Sequence, residues 1–257
     1  MISVIVPTMW KAPHLMHMLP LLQNHSMIGE VLIIDNDTSK TNEEIHKYSK
    51  VIHLPQQENI FVNPAWNLGY KLSKYDKLCL LNDDVIFNIA CIDNLYDHIN
   101  PNNGLLGFSE ESYCSFAPEI FDTLVNTGMG VDVTIKECDI YQNIQMSGMP
   151  HVFYGCAMFL HKSRYFPIPK EFKIYYGDLF IYLLNSFNVN HGEDIAPGLK
   201  LITKTYNAVK NYTIEDGLVL TKMSSTVKTS NSQTQIQKEK DVFYDVFKRF
   251  GINKADT

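Results

Sequence analysis

Arginine is almost missing from this chain: Arg164 and Arg249 are the two arginines among its 22 basic residues. A bound phosphate therefore meets few guanidinium forks and must rest on lysine, backbone N–H groups or a metal ion. Cysteine is sparse and unpatterned as well. Cys79, Cys91, Cys114, Cys138 and Cys156 are odd in number, scattered and without a CxxC spacing, which argues against a disulfide framework and a structural zinc site and suits a reducing compartment. No apolar run approaches the roughly 20 residues a membrane helix needs, and the stretch from Met1 to Pro7 carries no basic leader ahead of a long apolar segment. The expectation is a soluble, unexported, cytoplasmic protein. Internal repeats and low-complexity blocks are absent too, although Thr221 to Thr234 is rich in Ser and Thr.

The chain has 257 residues, 45% of them hydrophobic and 19% charged, enough for a sizeable core and typical of one α/β domain with an appendage. Its formal charge of −6 is unevenly spread: residues 200–257 carry ten Lys or Arg against six Asp or Glu, and the remainder carries twelve against twenty-two. The basic end suits an anionic acceptor, a membrane surface, or simply solvated lysines.

Ile2 to Val6 is a short β-branched run closed by Pro7-Thr8, the pattern of a buried strand entering a loop. Pro13 suits the first turn of a helix whose apolar face is Leu15, Met18, Leu19 and Leu22, with a kink at Pro20. Val31 to Ile34 is a second buried run, ending in Asp35-Asn36-Asp37. Thr41 and Glu44 have capping-box spacing before a short helix, and Val51 to Leu54 supplies another strand. Asn63-Pro64 reads as N-cap and first residue of a helix in which Gly69 allows close packing. Strands alternating with helices predict a doubly wound, largely parallel sheet.

Leu78-Cys79-Leu80-Leu81-Asn82-Asp83-Asp84-Val85-Ile86-Phe87 is the stretch with the most chemistry. A buried strand has no cheap place for adjacent carboxylates, so Asp83 and Asp84 are expected at its C-terminal end, the edge where open α/β sheets bind ligands. Hard oxygen ligands there suit Mg²⁺ or Mn²⁺ carrying a diphosphate. A polar turn between strand and helix is the competing reading. Further on, a helix spans Ile92 to Ile99 and a strand Leu105 to Phe108, residues 109–150 show no clear periodicity, and Val152 to Leu160 reads as a long strand. Tyr176-Gly177-Asp178 precedes an apolar helix from Leu179 to Leu184, and Phe243, Val246, Phe247 and Phe250 mark a terminal helix docked on the body.

Taken in order, Val4-Ile5-Val6-Pro7-Thr8, Ile33-Ile34-Asp35-Asn36, Asn67-Leu68-Gly69, Asn82-Asp83-Asp84, a Gly-containing strand and Gly177-Asp178 resemble the GT-A-fold, family 2-like nucleotide-sugar glycosyltransferases. The resemblance covers roughly residues 1–190 and implies a catalytic domain there, nucleotide-sugar-binding over 1–108 and acceptor-side over 109–190, with an extension over 191–257. It implies that Pro7 and Thr8 lie against the nucleobase of a nucleoside diphosphate sugar, a UDP-sugar above all, and that Asp35 contacts base or ribose. Asn67 borders that site, Asn82 and Asp83 lie nearer ribose and sugar, and Asp84 binds Mn²⁺ or Mg²⁺. His191 matches an extra metal ligand of some members, and Asp178 the acid that deprotonates the attacking hydroxyl in inverting members. Each has a plainer reading: Pro7 as strand terminator, Asp35 as turn former, Asn67 as a surface residue, His191 as an exposed loop histidine, Asp178 as a helix N-cap. The usual second acid beside Asp178 is replaced by Leu179.

The implied activity is metal-dependent, inverting transfer to an acceptor hydroxyl, the acceptor a surface glycan or glycolipid. Two alternatives stand beside it: a bacteriophage-type DNA glycosyltransferase acting on a hydroxylated base, located in the host cytoplasm, and a catalytically idle nucleotide-sugar-binding protein. Nothing in the sequence bears on oligomeric state.

Overall fold

The computed structural model describes residues 1–115, 117–138, 156–186, 209–221 and 230–249. Its first half follows the alternation of apolar runs. Strand β1 (Ile2–Thr8) leads into helix α1 (His14–Asn24), whose buried residues include Leu15, Met18, Leu19 and Leu22 and which carries Pro20 inside it. Strands β2 (Ile28–Asp35) and β3 (Val51–Pro55), helix α2 (Val62–Leu72) and strand β4 (Lys77–Leu81) follow. Next come β5 (Val85–Phe87), the one-turn helix α3 (Ile92–Leu95) and β6 (Asn103–Phe108).

The remaining described elements are β7 (Tyr113–Ser115), α4 (Pro118–Thr127), β8 (Thr134–Cys138), β9 (Ala157–His161), α5 (Gly177–Ser186), β10 (Lys210–Glu215), β11 (Val219–Thr221) and α6 (Ser230–Arg249). Eight described strands form one sheet in the order β3-β2-β1-β4-β9-β6-β10-β8, and β5-β11-β7 form a small second sheet. Strands β3, β2, β1 and β4 are mutually parallel, as is the β6–β10 pair, whereas β9 runs antiparallel to both β4 and β6. Because the chain goes outward from β1 to β2 and β3 and then returns to β4, the order reverses between β1 and β4. Such a reversal opens a crevice beyond the strand C-termini.

Pleat alternation divides the core between the two faces of the sheet. Val4, Val6, Cys79, Leu81 and Phe159 join α1 on one face, while Ile5, Leu80, Met158 and Leu160 join α2, α5 and α6 on the other. On the second face Gly69 permits α2 to lie against β1, since a Cβ there would stand 2.2 Å from Ile5 Cγ2. Gly69→Ala should therefore cost about 1–3 kcal/mol in overpacking, offset by no more than about 1 kcal/mol of helix propensity. A lowered urea midpoint is expected, and an unchanged or raised one would show that Ile5 can yield.

Several local expectations meet a different arrangement. The turn at Glu43–Lys47 is capped by Asn42, whose side chain accepts the Glu44 N–H at 3.0 Å, and Thr41 is engaged by Asp35 instead. Phe61, not Asn63, is the N-cap of α2. Asn63 is buried and its amide donates to the Phe172 and Tyr175 carbonyls at 3.2 and 2.9 Å, so a tertiary contact takes the side chain that local capping would have used. Within 109–150, where the sequence lacks periodicity, the described part holds β7, α4 and β8. Strand β8 is a largely exposed edge and needs no alternating apolar face. Residues 210–221 are woven into both sheets as β10 and β11, so the later chain supplies more than a terminal helix. Among the described residues no helix is long and apolar enough to cross a membrane.

Candidate active site

The crevice at the β1–β4 reversal is lined by the polar ends of the strands. Thr8 ends β1 in register with Asp35 at the end of β2, and Asp35 is in register with Pro55 at the end of β3. Across the reversal Thr8 Oγ1 donates to Asp83 Oδ2 at 2.6 Å, and the Trp10 N–H donates to Thr8 Oγ1 at 2.9 Å. The Asp83 carbonyl accepts the Leu15 N–H at 3.1 Å, which ties the first turn of α1 to the same point. Asn36 extends the seam, its N–H reaching the Thr8 carbonyl at 2.9 Å and its Oδ1 accepting the Ile60 N–H at 3.1 Å.

Asp35 is fully buried. Thr41 Oγ1 donates to Oδ2, His53 Nε2 lies 2.9 Å from the same oxygen, and Oδ1 accepts the Asp37 N–H at 3.0 Å. Burial opposes ionisation, but the bonds from Thr41, His53 and Asp37 outweigh it and hold the carboxyl below the ordinary carboxylate range. Sequence reasoning missed His53 as its partner; the available signal was a polar residue inside the apolar run Val51-Ile52-His53-Leu54.

Asp83 and Asp84, adjacent in sequence, have different partners. The Asp83 carboxylate is occupied with Thr8 and the Met9 N–H at 3.4 Å, and burial pushes its pKa up despite those bonds and the nearby Lys11. Asp84 is raised to about 6, first by burial and then by the Asp83 charge. No group of three or more His, Cys, Asp or Glu among the described residues forms a metal cage. The donor chemistry nevertheless suits a hard cation: a desolvated carboxylate with a like-charged neighbour, and a buried Asn82 Oδ1 with no hydrogen-bond donor. The bond from Asn82 N–H to the Cys156 carbonyl at 2.8 Å anchors this turn to the residue before β9.

Cys156 links the two halves of the site. Burial raises its thiol to about 12, and the charges of Asp84 and Asp178 add to that shift, so it senses both carboxylates. Asp178 lies in the first turn of α5, which begins at Gly177, and its Oδ1 accepts the Leu179 N–H at 2.8 Å. Gly177 is the residue that lets this turn approach α2, because a Cβ there would be 2.3 Å from Asn63 Oδ1.

Outside the glycines, positive φ occurs among the described residues at Trp10 (57°), Phe61 (68°), Tyr176 (62°) and Asp216 (62°). The first three stand in the loops after β1, before α2 and before α5, where strained backbone is held by surrounding bonds. Trp10 Nε1 is buried, and the Trp10 side chain adds to the groups that lower the Asp35 pKa. Asn67 is engaged inside the protein: its Nδ2 donates to the Ile168 carbonyl at 2.8 Å, and its Oδ1 accepts Tyr165 O–H at 2.7 Å and Ile168 N–H at 2.8 Å. Pro7 lies buried in β1, in register with Ile34. His191 lies outside the described residues, as does the Val152–Gly155 part of the expected strand.

Residues 3–165 match the sequence model of glycosyl transferase family 2. The chain belongs to that family. No protein of curated function matches it in sequence. Among solved structures, S. aureus TarS 1–349 in complex with UDP superimposes with a TM-score of 0.51 at 16% identity, over 70% of this chain and 54% of TarS. Whole S. aureus TarS gives 0.52 at 14% identity over 99% and 44% of the two chains. GalNAc-T7 with UDP, GalNAc and Mn²⁺ gives 0.52 at 11% identity over 96% and 49%. At these identities the likeness is one of fold, GT-A, and this family 2 chain spans about half the length of those proteins. The family match ends before α5 and α6, so the Asp178 side of the crevice lies outside it.

Proposed function

We propose that this family 2 chain transfers a sugar from a UDP-sugar to an acceptor hydroxyl, with inversion and with Mn²⁺ or Mg²⁺ at Asp84. The observation that carries the reading is the β1–β4 turn of a chain whose residues 3–165 match the family: Thr8 Oγ1 donates to Asp83 Oδ2 at 2.6 Å, and the adjacent Asp84 is raised to about 6 by burial and by Asp83. Complexes of TarS with UDP and of GalNAc-T7 with UDP and Mn²⁺ on the same fold support the nucleotide and the metal.

In this reading the strand ends at Pro7, Thr8 and Asp35 receive the nucleoside, and the Thr8–Asp83 bond ties the end of β1 to the turn after β4. Asp84, with Asn82 Oδ1 beside it, would hold the cation, and Asp83 braces the turn next to them. When bound, the cation supplies positive charge for the diphosphate that leaves the anomeric carbon. Asp178 accepts the proton of the attacking hydroxyl as the new glycosidic bond forms, and Asp178 leaves that step protonated. His191, beyond the described residues, is the remaining candidate ligand.

A glycan or glycolipid acceptor is favoured over DNA by the surface of α6. Its Lys238, Lys240 and Lys248 alternate with Asp241 and Asp245 and Arg249 pairs with Glu171 at 3.0 Å, so the helix does not offer the single-sign face that phosphate binding uses. The half-exposed ring of Tyr175, three residues before Asp178, offers a stacking surface for a sugar.

The test is nucleotide binding followed by melting temperature and titration. UDP with Mn²⁺ at a hundred times its Kd should stabilise the protein by about 2.7 kcal/mol, GDP should do less, and EDTA should abolish the gain. Equal UDP affinity with and without EDTA would remove the metal, and no UDP binding under any condition would remove the donor.

A further inference from the structure

Helix α6 lies outside the family match, yet one of its residues is bonded to the segment that leads into Asp178. Glu239 is fully buried. Its Oε1 accepts the N–H groups of Lys173 and Ile174, both at 3.0 Å, and its Oε2 accepts that of Tyr175 at 2.8 Å; Gln235 Nε2 adds a fourth bond at 3.0 Å. Three consecutive backbone N–H groups converging on one carboxylate form an anion-accepting concavity, filled here by the protein's own side chain. The carbonyls of the same segment are held from the opposite side by α2. Lys173 O accepts the Asn63 N–H at 3.0 Å, and Phe172 O and Tyr175 O accept the Asn63 amide at 3.2 and 2.9 Å. The segment is thus gripped on both sides immediately before Tyr176, with φ +62°, and Asp178.

Rings from α6 close over the same segment. Tyr176 packs on Phe243 with centroids 4.7 Å apart, and Phe172 and Phe180 each lie 5.8 Å from Phe247. Apolar packing of this kind would dock α6 without any carboxylate. Burying one is costly, and a well-packed apolar residue is often at least as stable. What the carboxylate adds is geometry, because its bonds set the placement of Lys173–Tyr175 in a way that ring packing does not.

We infer that Glu239 is a positioning residue for sugar transfer: by fixing residues 173–175 it sets where Asp178 stands, and α6 thereby completes the active site. The inference rests on the proposed role of Asp178. Glu239→Gln keeps the size but turns an amide NH₂ toward at least one backbone N–H, which lets the loop shift. A displacement near 1 Å at a reacting group can cost on the order of 100-fold. The expected result is a fall in kcat of about 10- to 100-fold, with the KM for donor and the affinity for UDP unchanged. Glu239→Asp, which retains the charge on a shorter stem, should fall between the two. Arg249→Ala, which breaks only the ion pair of α6 with Glu171, should stay near wild type.

The decisive arm is the double variant. If Glu239 acts through Asp178, then adding Glu239→Gln to Asp178→Asn should lower kcat little further, because the positioned carboxylate is already gone. Fully additive losses would overturn the inference, as would a wild-type kcat in Glu239→Gln or a parallel loss of UDP affinity. Unfolding of both Glu239→Gln and Glu239→Asp would make the residue structural and overturn it as well. Near-normal turnover in Asp178→Asn alone is a separate outcome: it removes the base from the proposed function, whatever Glu239 does.

Discussion

Asp178→Asn should lower the turnover of sugar transfer by about 10²- to 10⁴-fold, the usual worth of general-base help, while UDP affinity and melting temperature stay close to wild type. A sugar hydroxyl is a weak nucleophile at neutral pH, and a carboxylate in reach lowers the barrier as the proton leaves. The substitution separates this role from a structural one. Asp178 lies in the first turn of α5, which starts at Gly177, and its carboxylate accepts the Leu179 N–H at 2.8 Å. An asparagine carbonyl can accept that bond equally well, and Asn and Asp serve comparably at helix starts. An Asp178 that only serves the start of α5 would therefore be replaced with little loss. Steady-state kinetics with calorimetric UDP titration makes the distinction, and near-normal turnover would leave the first turn of α5 as the whole role.

Asp84→Asn should produce changes of opposite sign in the presence and absence of metal. Without a cation, Asp84 is a carboxylate raised to about 6 by burial and by Asp83, so at neutral pH its ionised form weighs against the folded state. Its folded pKa stands above the ordinary value, so the penalty is present above pH 6 and relieved as pH falls through that value. The neutral amide should leave the metal-free melting temperature equal to or above that of wild type. With Mn²⁺ present the order should invert. Outer-shell partners of a metal cost about 10- to 100-fold in affinity when removed, and loss of a direct ligand should reach at least the upper end of that range. The gain in stability that wild type shows with Mn²⁺ and UDP should shrink accordingly. A metal-dependent gain undiminished in Asp84→Asn would place the cation elsewhere. Asp83→Ala is the companion measurement: because one Asp83 oxygen accepts Thr8 Oγ1–H at 2.6 Å and the Met9 N–H at 3.4 Å, removing the acceptor should disturb the β1–β4 turn itself and lower stability even without metal.

The sequence by itself determined the order of strands and helices up to β4 and the edge on which the polar strand ends sit. Apolar runs at β1, β2 and β4 each stop at polar residues, namely Thr8, Asp35 and Asn82-Asp83-Asp84. Alternation of such runs with helical spacing suffices to put those ends on one side of a parallel sheet, because parallel strands joined by helices share their direction. Strand and helix periods are local properties, readable within a dozen residues. Partner choice is not local. Only the tertiary structure decided that Thr8 engages Asp83, or that Thr41 and His53 engage Asp35. It also drew Asn63 away from capping to hold Phe172 and Tyr175, more than a hundred residues later in the chain. The strands β10 and β11 were equally beyond local reading: they are short, and their pairing with β6, β8, β5 and β7 comes from segments far away in sequence. Glu239 is the extreme case. In the sequence it stands between Lys238 and Lys240 in a charged helix, indistinguishable from a solvated residue. Three backbone N–H groups from residues 173–175, brought against it by the fold, are what make its burial tolerable and give it a position beside the site.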